Sequence, residues 1–96
     1  MAGPLLCRLT LWPNPAQGNV HLDMRLAQES YPSLAVFDIQ GRLVRTLQKG
    51  NLARGKHQFV WDCRDEESRP LSSGTYLVVL STQSGTVTEK VRLIRR

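Results

Sequence analysis

Pro70-Leu71-Ser72-Ser73-Gly74-Thr75-Tyr76-Leu77-Val78-Val79-Leu80 is a turn that runs straight into a strand with no polar face. Thr75, Leu77 and Val79 fall on one side of an extended chain, and Tyr76, Val78 and Leu80 on the other, because successive strand side chains alternate. Such a strand belongs in the middle of a sheet, covered on both sides. Gly74, two residues before Tyr76, admits two readings. One is the approach to a tyrosine corner, in which the hydroxyl bonds back to upstream backbone as the chain crosses between sheets. The other is an ordinary hairpin strand with a Tyr at its edge. The corner is the preferred reading, and the rest of the chain reads as strands packed around this one.

Upstream, Cys7 to Trp12 is a first strand, stopped by Pro13-Asn14-Pro15, since proline donates nothing to a ladder and pushes the preceding residue to extended geometry. Val20, Leu22, Met24 and Leu26 alternate with His21, Asp23 and Arg25, the pattern of a half-buried strand. Leu34 to Ile39 forms a third strand. A tight turn over Asp38 to Gly41 follows, with Gly41 supplying positive φ. Arg42 to Leu47 and Lys56 to Asp62 are the fourth and fifth strands, and Leu52 plugs the core from the loop between them. Cys63 to Arg69 is a polar loop before the strand that opened this reading. Thr86 to Ile94 is the last strand, with Val87, Val91 and Leu93 inward and Thr88, Lys90 and Arg92 outward; Glu89 falls on the apolar side.

About seven short strands spaced by turn signals, with no sustained helical period, predict an all-β fold, an antiparallel sandwich. The predicted core is Leu9, Val20, Leu22, Met24, Phe37, Ile39, Leu43, Phe59, Trp61, Leu77, Val79, Val91 and Leu93. Ninety-six residues make one domain, placed over residues 7–96. Residues 1–6 read as a linker or artificial remnant, and Met1-Ala2-Gly3 suggests a piece cut from a longer protein. No run of 18 apolar residues is present, so no membrane insertion is expected.

The net charge of +5 comes from basic residues spread along the chain, concentrated only at its end. Nucleic-acid binding wants a clustered basic face, so no nucleic acid is expected as a partner. Cys7 and Cys63 lack zinc spacing. They read as two buried thiols, with a disulfide as the alternative in an oxidising compartment. His21 and His57 have no partner at catalytic spacing, and no phosphate loop is present. No catalytic residue, metal site or cofactor is predicted, and the chain is not expected to be an enzyme. Asp62, Asp65, Glu66 and Glu67 form one acidic cluster, read as a solvated turn in preference to a calcium loop. Trp12 and Trp61 suggest a sugar-stacking platform, but Trp61 shares a side with Phe59, which favours core packing.

The order of the motifs resembles one family. Trp12-Pro13-Asn14-Pro15-Ala16 is similar to the Tyr-Pro-Asn-Pro opening of the type A C-terminal sorting domains of the type IX (Por) secretion system, with Trp12 in place of the usual Tyr. Val36 to Val44, Gly55 to Asp62, Leu71 to Leu77 and Thr88 to Ile94 resemble that family's later blocks in order. The immunoglobulin-like domain of the flagellar hook-capping protein shares much of the pattern, as do Ig-like modules at the ends of bacterial surface enzymes. The resemblance implies an Ig-like β-sandwich that ends a larger exported protein of Bacteroidetes-type bacteria. It implies passage through the periplasm to the cell surface or beyond, with the type IX translocon and a surface sortase as partners. It places recognition on Lys90, Val91, Arg92, Leu93, Ile94, Arg95 and Arg96. Pro13, Asn14, Pro15, Gly41, Gly74 and Tyr76 are the structural positions. The mechanism expected for the last strand is addition of a partner strand to an open sheet edge, steered by basic side chains. A structural Ig-like module is the alternative, and a carbohydrate- or calcium-binding module the remaining one.

Overall fold

Seven strands carry the chain: β1 (Cys7–Trp12), β2 (Val20–Leu26), β3 (Ser33–Asp38), β4 (Leu43–Lys49), β5 (Gly55–Trp61), β6 (Gly74–Thr82) and β7 (Gly85–Leu93). A computed structural model describes residues 7–95. The strands form two antiparallel sheets facing each other, ordered β1-β2-β5 and β4-β3-β6-β7. The fold is an Ig-like β-sandwich, and β6 does lie inside its sheet, between β3 and β7.

The three-stranded sheet follows its alternation. Val20, Leu22, Met24 and Leu26 are buried, and Trp61 is fully enclosed. The Trp61 indole N–H, which has to find an acceptor once buried, donates to Arg64 O at 3.1 Å. Cys7 and Cys63 are both buried and both free thiols. Burial pushes the Cys63 thiol up to about 11, so it is protonated and inert near neutral pH.

The four-stranded sheet departs from the expected core. Leu34 and Val36 face inward on β3, and Tyr76, Val78 and Leu80 on β6. Phe37, Leu77 and Val79 sit half-buried on the outer face instead, and Ile39 and Leu43 are exposed. Both strands are apolar on both sides, so alternation alone leaves their phase undecided. The phase is set by β7, which has one wet face. Val91 lies opposite Tyr76, so Tyr76 points inward with it. Val78 lies opposite Val36, which carries the phase on to β3. On β4, irregular pairing opposite Leu34–Phe37 shifts the register. Val44, not Leu43, joins the core as a result, and Leu47 packs against it. Phe59 and Leu52 pack at the core's margin, half-buried.

Leu80→Ala should therefore cost about 2–5 kcal/mol. Ile39→Ser should stay within about 0.5 kcal/mol of the parent. Urea unfolding of the two variants checks the phase: equal losses would contradict it.

Candidate functional site: the clamped last strand

The resemblance places recognition on the last strand, and the structure gives that strand an unexpected neighbour. Asn14 sits between two prolines, neither of which has an N–H to offer. Its side-chain amide takes over the pairing. Asn14 Nδ2 donates to Lys90 O at 3.0 Å, and Arg92 N donates to Asn14 Oδ1 at 2.9 Å. Two residues on, Ala16 N donates to Arg92 O and Ile94 N donates to Ala16 O, both at 2.8 Å. Ala16, fully buried, thus forms a parallel bridge with Leu93. From Lys90 to Ile94 the outer edge of β7 is occupied.

This corrects the expectation of an open edge there. Strand addition along Lys90–Ile94 has no free backbone groups to use while Asn14 and Ala16 hold it. The side chains also divide. Lys90 and Arg92 are exposed, Val91 and Leu93 are buried in the core, and Ile94 is half-buried. Arg95 turns back into the fold: its guanidinium donates to Leu71 O at 2.6 Å and to Cys63 O at 2.9 Å. Its backbone N–H donates to Ser73 Oγ at 2.8 Å. Arg96 lies outside the described residues. In the folded domain, Lys90 and Arg92 are the members of the expected recognition set that present outward charges.

The remaining structural positions lie near the opening of β6. Tyr76 Oη donates to Ser72 O at 2.7 Å, the bond back to upstream backbone that defines a corner. The Tyr76 and Trp61 rings meet edge to face, with centroids 5.9 Å apart. Gly41 has φ +85°, which favours glycine. Gly74 shows no positive φ; a Cβ there would meet only the Tyr76 ring, at 3.9 Å. The Asp38 carboxylate closes its own turn by accepting from the Gln40 and Arg42 amides at 2.9 and 3.0 Å.

The acidic cluster resolves into an internally bonded turn. Asp65 accepts from the Glu67 and Arg69 amides, both at 2.9 Å. Asp62 accepts from Arg45 and from the Arg64 amide at 3.1 Å. Glu66 behaves as Asn14 does on the far side of the sheet. Its N–H donates to Val44 O at 3.1 Å, and its carboxylate accepts from Thr46 N at 3.0 Å, capping the edge of β4. Among the described residues no three His, Cys, Asp or Glu side chains gather as metal ligands. Sequence reasoning missed the edge-capping roles of Ala16 and Glu66; no local signal marks either, since each acts on a strand distant in sequence.

These features define an Ig-like sandwich in which loops cap part of both edges of the four-stranded sheet. The chain belongs to the FlgD Ig-like domain family, whose model matches residues 13–86. Over 50 residues it is 34% identical to the basal-body rod modification protein FlgD of Salmonella typhimurium, covering 52% of this chain and 22% of that protein. It therefore spans about a fifth of that relative. Among solved structures it superposes on latent PorU from Porphyromonas gingivalis with TM-score 0.73 and 18% identity, covering 98% of this chain and 10% of that one. It matches PorZ, an essential surface component of the type-IX secretion system of the same bacterium, with TM-score 0.62 and 19% identity. That match covers 91% of this chain and 11% of PorZ. FlgD from P. aeruginosa gives TM-score 0.59 at 22% identity over 94% of this chain and 74% of that one. At these identities the structural likenesses speak to the fold.

Two outcomes follow. Asn14→Ala removes two hydrogen bonds and uncovers a strand edge, which should cost about 1–3 kcal/mol. Amide exchange at Arg92 should accelerate selectively, and unchanged protection there would mean the clamp is dispensable. The second concerns pH. Backbone N–H donors, foremost the Arg42 and Arg69 amides, hold the Asp38 and Asp65 carboxyls below their ordinary 3.8. A carboxyl depressed in the folded state contributes stability above its unfolded value, and that contribution is lost as pH falls through the folded one. Urea midpoints should drop below about pH 4, and less steeply in Asp38→Asn and Asp65→Asn.

Proposed function

We propose that this chain is a non-catalytic sorting module of the type IX secretion system, a folded label at the end of a larger cargo. The translocon reads it in the periplasm and a surface sortase acts on it at the cell surface. The observation that carries this reading is the Asn14 clamp. It joins the Trp12–Ala16 block to the closing basic strand, the first and last of the blocks that resemble sorting domains, into one surface. Lys90 and Arg92 project from that surface, two residues apart on the wet face of β7. Charge complementarity at such outward positions governs encounter and specificity with little effect on folding.

A second reading, a structural Ig-like module, is favoured by the sequence likeness to FlgD. One experiment separates the two. The 96-residue chain is fused behind a periplasmic reporter in a bacterium with a type IX system, beside the same fusion carrying Lys90→Glu and Arg92→Glu. The sorting reading expects the intact fusion at the cell surface and the charge-reversed one, still folded, held in the periplasm. Retention of the intact fusion overturns it and leaves the structural module standing.

A further inference from the structure

The outer face of the three-stranded sheet carries three rows of side chains set in register across β1, β2 and β5. At one end Arg8 lies opposite Arg25, and Arg25 opposite Lys56. All three are exposed. Like charges directly opposite each other on a sheet repel, and the fold compensates only one of them: Lys56 Nζ lies 3.6 Å from Asp23 Oδ2. Neither Arg8 nor Arg25 has an acidic partner among the described residues. The stretch Met1–Leu6, before Arg8, contains no Asp or Glu. Two arginines opposite each other on paired strands can offer an oxyanion paired, charge-assisted hydrogen bonds.

The middle row carries the single negative charge of Asp23 and is rich in donors and acceptors. Thr10 lies opposite Asp23, and Asp23 opposite Gln58, whose amide donates to the Asp23 carboxylate at 3.0 Å. At the other end Trp12, 43% exposed, stacks on His21 with ring centroids 5.7 Å apart and an interplanar angle of 20°. His21 lies opposite Val60, itself exposed. Depressions of about 180 and 140 Å³ run along this face and share Asp23. From the Trp12 row to the Arg8 row is four residues of strand, about 14 Å.

We infer that this face binds an acidic oligosaccharide: a sugar ring lies against Trp12 and His21, hydroxyls meet Asp23 and Gln58, and a carboxylate or sulfate reaches Arg8 and Arg25. The order of the rows selects this ligand. A nucleic-acid strand would carry a phosphate past the Asp23 carboxylate in the middle row, where a hydroxylated sugar meets a hydrogen-bond acceptor instead. A neutral sugar would leave the arginine pair uncompensated. The length of the face calls for an oligosaccharide and not a single ring. The sorting reading rests on the Lys90 and Arg92 charges of β7, in the other sheet, and meets this face only at the Trp12–Ala16 block.

The test is amide chemical-shift titration of the 96-residue chain with a hyaluronan tetrasaccharide. Parallel titrations use a neutral chitin tetrasaccharide, inorganic sulfate and a single-stranded oligonucleotide. The acidic tetrasaccharide should perturb β1, β2 and β5 and leave the outer face of the other sheet unmoved. The neutral sugar should bind about tenfold more weakly or worse, in line with a lost charge-assisted pair. Arg25→Ala, which relieves a like-charge contact and so keeps the fold, should weaken binding about tenfold. Trp12→Ala should do the same, with Trp12→Phe retaining most of the affinity. No perturbation by the acidic sugar overturns the inference. So does binding that survives Trp12→Ala, or that the oligonucleotide or sulfate matches, since either marks an unselective cationic patch.

Discussion

The backbone edges of the four-stranded sheet are the constraint on which this domain is organised. A sheet edge exposes N–H and C=O groups that pair with any extended chain they meet. Here the loops leaving the opposite sheet cap part of each edge. Asn14 and Ala16, on the link from β1 to β2, take the edge of β7; Glu66, on the link from β5 to β6, takes the edge of β4. Each cap uses a side chain as a surrogate peptide group. Each also ties one sheet to the other, so the contacts that block unwanted pairing are the ones that hold the sandwich shut.

The same economy governs the crossing between sheets. The chain leaves β5 at a fully enclosed Trp61 and enters β6 at Gly74, two residues before the buried Tyr76. Between them lies the most polar stretch of the protein, and three side chains pin it. Trp61 donates to Arg64 O, Tyr76 to Ser72 O, and Arg95 to Cys63 O and Leu71 O. The Asp62 and Asp65 carboxylates accept from the loop's own amides, and Glu66 ties it to β4, so this acid-rich segment is held without metal-ligand geometry. Arg95 serves the same end from the far terminus, so its charge is a structural tie although the resemblance places it among the recognition residues.

How far all this was legible in the sequence varied with what each feature depends on. Strands with one wet face, such as β2 and β7, announce both their existence and their orientation. The strands apolar on both sides announce existence alone. Alternation therefore reads Phe37, Ile39, Leu77 and Val79 as core, whereas Phe37, Leu77 and Val79 lie half-buried on the outer face and Ile39 is exposed. The missing information is the pairing: once Tyr76 is known to face Val91 and Val78 to face Val36, the phase follows. Asn14 and Tyr76 stood out as motif positions, and Tyr76 implied its own bond. What Asn14 holds lies 76 and 78 positions away, beyond any local signal. The row of Arg8, Arg25 and Lys56 was invisible for the same reason. In sequence the basic residues look dispersed, and only the register of three strands gathers them.

The clamp also bears on how a partner could read the last strand at all. Peeling β7 away would expose Val91 and Leu93, both essentially fully buried, at about 1.5–3 kcal/mol each. It would break the ladder to β6 along the whole strand and the four bonds to Asn14 and Ala16, at about 1 kcal/mol apiece net. A domain of this size holds only about 5–15 kcal/mol of stability in total. Removing the strand is therefore close to unfolding the domain, and a partner would have to supply nearly the whole of that free energy. Reading in place needs none of it. Lys90 and Arg92 already stand on the outer face, about 7 Å apart along a strand whose position is fixed from both sides. Along Lys90–Ile94 a partner that engages the folded strand meets two cations in a set register and an edge already taken, so its specificity there has to come from side chains and not from added backbone pairing.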